Sequence, residues 1–156
     1  MQKRTFSWTT EDGIKIHACE WAAATPKAVV AIAHGLGEHI ERYDHMARWF
    51  NARGFAVIGY DRRGHGQSGG KRGHSPGVGP LLDEIAQLLV EARTAYQDLP
   101  VFLYGHSQGG GLVLSYTLHR NPKVSGVIAS APWIQLSFTP PAALVAVGKL
   151  MRKIYP

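Results

Sequence analysis

The chain has 156 residues, 45% of them hydrophobic and 18% charged, with a formal net charge of +6; this suits one ordinary core and excludes a disordered polymer. No apolar run approaches the ~20 residues of a membrane span, and Met1-Gln2-Lys3-Arg4 has no apolar segment behind it to form a secretory signal, so the expected location is cytoplasmic. Lysine and arginine are scattered instead of striped and no zinc-finger or RNA-binding motif occurs, so nucleic acid is not an expected partner.

In chain order, residues 5–9 and 14–21 read as two strands of an antiparallel hairpin, joined at Glu11-Asp12-Gly13. Cys19 falls in the second strand, where it reads as a small buried side chain. Residues 28–33 form an uninterrupted apolar run, the pattern of a strand covered on both sides. Tyr43, Met46, Ala47 and Phe50 then fall at i, i+3, i+4 and i+7 of a helix that Gly54 stops. Residues 56–60 read as the next strand. After Pro80, a residue tolerated in a first helical turn, Leu81, Ile85, Leu88, Ala92 and Tyr96 make a second stripe. Residues 101–104 are strand-like, Leu112, Leu114, Tyr116 and Leu118 lie in a third helix ended by Asn121-Pro122, and residues 126–130 give a last strand. Strands spaced by helices in this way imply a mostly parallel sheet with helices on both faces.

Two loops carry chemistry. Gly105-His106-Ser107-Gln108-Gly109 sits between a strand and a helix, the setting of a nucleophile elbow. The glycines at both ends free the backbone to make a sharp turn, which lifts the serine oxygen beside free helix N–H groups. In a chain of this glycine and serine content the pattern arises by chance about one time in ten, so its context decides. The context is His34-Gly35-Leu36-Gly37, directly after the strand at residues 28–33. Such a loop supplies one oxyanion donor, here the N–H of Leu36, and the residue after the nucleophile, Gln108, supplies the other. The alternative is a tight loop with no chemistry; in either case His34 reads as a structural residue bonded to backbone.

Three stretches, His34-Gly35-Leu36-Gly37-Glu38-His39 with Glu41-Arg42-Tyr43 after it, Asp61-Arg62-Arg63-Gly64-His65-Gly66-Gln67-Ser68, and Gly105-His106-Ser107-Gln108-Gly109-Gly110, resemble α/β-hydrolases of the monoglyceride lipase and lysophospholipase type. The resemblance implies the α/β-hydrolase fold and a serine hydrolase for a small-molecule acyl ester. It covers only the N-terminal part of such an enzyme, because the family continues through a lid and two further core strands. Residues 1–132 are then the N-terminal part of the core, incomplete at its C-terminus, and residues 133–156 the start of the lid. Gln108 stands where these lipases often have Met, a change without effect on a backbone N–H.

Residues 142–154 resemble an amphipathic helix ending in Lys149, Arg152 and Lys153. As part of a lid it would cover an acyl pocket or touch a lipid surface; otherwise it is an ordinary helix whose packing partner lies elsewhere. Serine needs a histidine oriented by a carboxylate, and in this fold both follow the serine in sequence. After Ser107 there is no Asp or Glu, and His119, twelve helical residues on, is about 18 Å away. The acid and base are therefore expected from outside the sequence. The second reading is a non-catalytic hydrolase-like fragment that self-associates or needs a complementary C-terminal half.

Other patterns fail as sites. Gly64-His65-Gly66-Gln67-Ser68-Gly69 fits G-x-G-x-x-G but leads into no helix, and Gly70-Lys71 lacks the rest of a phosphate loop. His34, His39, His45 and His74 have no metal-ligand spacing, so neither a metal nor a cofactor is expected. Asp61, at a strand end, reads as a loop anchor and His65 as a loop-packing residue.

Overall fold

A computed structural model describes residues 2–135 and 139–154. The elements run β1 (Gln2–Thr9), β2 (Lys15–Ala22), β3 (Ala28–Ala33), a 3-10 turn (Ile40–Tyr43), α1 (Asp44–Asn51), β4 (Phe55–Tyr60), α2 (Val78–Ala95), β5 (Val101–His106), α3 (Gln108–Arg120), β6 (Gly126–Ser130) and α4 (Ala142–Ile154). The strands make one sheet in the order β1-β2-β4-β3-β5-β6. β1 and β2 form the antiparallel hairpin, β2 also pairs antiparallel with β4, and β3, β4, β5 and β6 run parallel.

β3 lies between β4 and β5, and its alternating side chains enter two cores. Val29, Ala31 and Ala33 join Ile58 and Tyr60 of β4 beneath α2 and α3, which contribute Ile85, Leu88, Leu112 and Val113. Val30 and Ile32 point the other way, toward Trp21, Ile40, Tyr43 and Ala47 at the α1 side. Both faces are thus covered, which is why β3 has no polar residue. Each fully buried Val, Leu or Ile contributes roughly 1.5–3 kcal/mol of burial free energy. Cys19 is fully buried in the second core, and burial pushes its thiol up to about 12, so it stays a protonated packing group.

The differences from the expected elements are local. β5 continues to His106, so the elbow begins at Ser107 without an intervening loop. The buried face of α3 is Gly109, Gly110, Leu112, Val113 and Tyr116, while Leu118 is exposed. α3 ends where Asn121 adopts a left-handed conformation, φ 42°, ahead of Pro122. In the segment after Pro132, Leu136, Ser137 and Phe138 lie outside the described residues, as do the side chains of Arg152 and Lys153. No helix among the described residues is long and apolar enough to cross a membrane.

Candidate active site

Because β3 and β5 are parallel neighbours, with Ala33 opposite Gly105, their C-terminal ends deliver the 34–37 loop and Ser107 to one place. Ser107 has φ 52° and ψ −118°, a conformation that costs a non-glycine residue of order 1–3 kcal/mol. The surroundings hold it there. The Ser107 N–H donates to Ser130 O at 2.9 Å, and Ser107 O accepts from Gly111 N at 3.1 Å and Trp133 N at 2.9 Å. The last contact follows a second positive φ, 44° at Ala131, which turns the chain back from β6.

The flanking glycines serve clearance, since neither Gly105 nor Gly109 has a positive φ; the strain sits on the serine. A Cβ on Gly109 would lie 2.2 Å from Ala33 O and 2.5 Å from His34 O, so only glycine lets the first turn of α3 close on the end of β3. Similarly, a Cβ on Gly35 would lie 3.2 Å from the Ser107 Cβ. The glycine loop and the serine are therefore in direct apposition.

The loop after β3 is tied from several sides. Glu38 accepts from the Gly35 N–H at 2.5 Å and from the Tyr43 hydroxyl at 2.9 Å. His34 donates from Nδ1 to Gly35 O at 2.7 Å and accepts the Arg62 N–H at Nε2, 3.0 Å, which fixes the neutral tautomer. Burial, and then the nearby Arg62 charge, push the His34 pKa down to about 3. The loop after β4 is anchored by Asp61, whose carboxylate accepts from Ile40 N at 2.7 Å and Gln67 N at 2.8 Å. His65 bonds through Nδ1 to Arg63 O. The glycine-rich stretch 64–70 wraps this anchor and forms no helix start.

Arg62 and Glu38 take part in ways that the sequence does not announce. Arg62 is 1% exposed and donates to Gln108 Oε1 at 2.9 Å and to Gly35 O at 2.8 Å, linking all three loops. Both residues lie within the motifs, but nothing in their spacing names a partner. Leu36 and Gln108 line a small cleft with Arg62 and His65, and an open cleft of about 310 Å³ continues past Leu36 and His39. No described side chain hydrogen-bonds the Ser107 hydroxyl, and His119 is bonded to Ser115 O at the far end of α3. Among the described residues no cluster of His, Cys, Asp and Glu could hold a metal ion.

The sheet order, the strained serine after β5 and the glycine loop after β3 define an α/β-hydrolase. Residues 24–156 match the family described as serine aminopeptidase, S33, and the chain belongs to that family. It is 37% identical over 145 residues to a monoacylglycerol lipase of Mycolicibacterium smegmatis, across 92% of this chain and 52% of that protein. Identity to a phospholipase of Bacillus subtilis is 35% over 137 residues, across 87% of this chain and 52% of the other. The crystal structure of a Paleococcus ferrophilus monoacylglycerol lipase superposes with a TM-score of 0.71 at 33% identity, covering 100% of this chain and 53% of that one. The chain spans about half the length of each.

Proposed function

We propose that the chain carries the nucleophile and the oxyanion donors of a serine ester hydrolase for monoacylglycerol, lysophospholipid or a similar carboxylic ester. The observation that carries this reading is Ser107 itself: a serine held at φ 52° on a helix N-terminus, with no side-chain partner for its hydroxyl among the described residues and the glycine loop against it. The names of the lipase and phospholipase relatives support an ester substrate. Ser107 Oγ attacks the acyl carbonyl carbon, and the N–H groups of Leu36 and Gln108 receive the resulting oxyanion. Collapse breaks the bond to the alcohol, which leaves protonated, and water then releases the acid from the acyl-serine.

The proton of Ser107 must go to a base. Chain order in this fold places the acid and the histidine after the serine, and both are assigned to polypeptide outside these residues. Residues 1–132 are then core and 133–156 the beginning of a lid. Exposed Leu144, Val147, Leu150 and Met151 on α4 support a lid that meets acyl chains or a lipid surface at the membrane periphery of the cytoplasm.

A fluorophosphonate probe should label Ser107 in the full-length protein, and Ser107→Ala should abolish both labelling and p-nitrophenyl ester hydrolysis. Labelling at another serine, or an active alanine variant, refutes the mechanism. A hydroxyl with no side-chain partner among the described residues also favours a second reading, a non-catalytic fragment dependent on a complementary half or another copy. Under either reading the 156-residue chain alone turns over esters orders of magnitude more slowly than a complete triad does. Robust turnover by that chain, lost in Ser107→Ala, refutes the need for an outside base.

A further inference from the structure

We infer that Arg62 is a positioning residue for the oxyanion donors, an inference that rests on the hydrolase reading above. One peptide plane carries the effect. The Gly35 carbonyl and the Leu36 N–H belong to the same planar trans unit, so fixing the carbonyl fixes the opposite direction of the N–H. Two donors fix it: His34 Nδ1 at 2.7 Å and Arg62 Nη2 at 2.8 Å. A cation at the carbonyl end also polarises the peptide, which strengthens the N–H as a donor.

The other arm of the guanidinium reaches the second donor's residue. Arg62 Nη1 donates to Gln108 Oε1 at 2.9 Å, so one rigid fork spans the loop after β3 and the first residue of α3. The Arg62 backbone N–H, bonded to His34 Nε2, closes the arrangement. The Gln108 side chain thereby acquires a use that its backbone role does not require.

Arg62 is also an expensive residue to keep. It is 1% exposed, makes no ion pair among the described residues, and leaves its Nε without a partner. A buried charge with no counter-ion destabilises the fold, whereas beside a site where negative charge develops it favours the charged transition state. Arg63, the next residue, shows the contrast: its guanidinium is neutralised by Asp12 and Glu84.

The test uses the full-length protein and its Arg62→Met, Arg62→Lys and Gln108→Met variants, with Ser107→Ala as the control for the hydrolase reading. Measured quantities are kcat and KM for a p-nitrophenyl ester, and inhibition by an alkyl trifluoromethyl ketone and by the matching methyl ketone. The trifluoromethyl ketone forms a tetrahedral oxyanion on serine; the methyl ketone stands in for the ground state. Arg62→Met should lower kcat and trifluoromethyl ketone affinity together by about 100-fold, with KM and methyl ketone affinity within about threefold. Arg62→Lys, which keeps the charge but not the fork, should fall between. Gln108→Met, which removes one arm and keeps the backbone N–H, should lose about tenfold in kcat at an unchanged thermal midpoint. Folded Arg62→Met with wild-type kcat, or equal losses for both ketones, overturns the inference; should that variant not fold, wild-type kcat in Gln108→Met overturns it. Activity that survives Ser107→Ala overturns the hydrolase reading as well.

Discussion

Replacing Gly109 by alanine tests the site's construction with a single methyl group. The added Cβ would meet Ala33 O at 2.2 Å, His34 O at 2.5 Å and Ala33 C at 2.8 Å, all backbone atoms. Relief requires a separation of roughly 1 Å beyond these distances, given ordinary carbon–oxygen contact. β3 cannot yield easily, because it is bonded to β4 on one side and β5 on the other. The first turn of α3 must therefore move, and Ser107 with it. Overpacking of this kind costs about 1–3 kcal/mol, here toward the upper end because no flexible side chain can swing away, and the helix preference of alanine returns about 1 kcal/mol. A net loss of about 2 kcal/mol in urea denaturation is expected. A displacement near 1 Å also lowers the fluorophosphonate labelling rate of Ser107 by about 100-fold. Gly79→Ala in α2 is the control: nothing lies within 4 Å of its Cβ, so it should be neutral or stabilising by up to about 1 kcal/mol. A Gly109→Ala protein with wild-type stability and labelling would refute this account of the elbow.

His34 stays neutral in the fold down to about pH 3 but takes up a proton below its ordinary 6.5 when unfolded. Its contribution is therefore complete above pH 6.5 and is lost as pH falls toward 3, with a slope of up to about 1.4 kcal/mol per pH unit. His34→Gln should lack that slope, and parallel stability curves for the two proteins between about pH 6.5 and 4 would count against it. Glu84→Ala should cost about 3 kcal/mol in urea denaturation, since it strands the buried Arg63 guanidinium that Glu84 meets at 2.5 Å; the remaining Asp12 contact keeps the cost at the lower end of the range, and a loss under about 1 kcal/mol would contradict it. Ser107→Gly should raise the thermal midpoint, by releasing about 1 kcal/mol or more of backbone strain, while ending probe labelling; an unchanged or lower midpoint would show that the positive φ costs nothing.

Elements whose signal is local are legible in the sequence. The run at residues 28–33 has to be a doubly covered strand, and the glycine-flanked Ser107 has to sit at a corner. The pairing of β2 with β4 is not legible, because two antiparallel neighbours so far apart in sequence leave no periodic trace. Nor is the full extent of β5: Gly105 and His106 look like turn residues, yet both pair with β6. The same limit applies to Arg62 and Glu38. Their letters stand in the motifs, but their partners Gln108 and Gly35 are brought near only by the strand order. The sequence suggests backbone freedom as the purpose of Gly109, whereas the structure gives clearance, since the atoms that forbid a Cβ belong to β3 and the loop after it.

The ties around the site are unevenly distributed, and the proposed acyl transfer would account for the imbalance. On the side where the proposed mechanism puts the oxyanion, the backbone is held by Glu38, His34, Arg62, Ser130 and Trp133, so its dipoles would not need to reorganise as charge develops. The Ser107 hydroxyl, by contrast, is held by nothing among the described residues. Under the proposed mechanism it rotates to hand its proton to a base and then carries the acyl group, and a strong bond to this part of the protein would oppose both steps. Damage to the ties should therefore appear in transition-state affinity with the pH profile preserved. Damage to the base should shift the pH profile and leave the affinity of a neutral ground-state analogue intact.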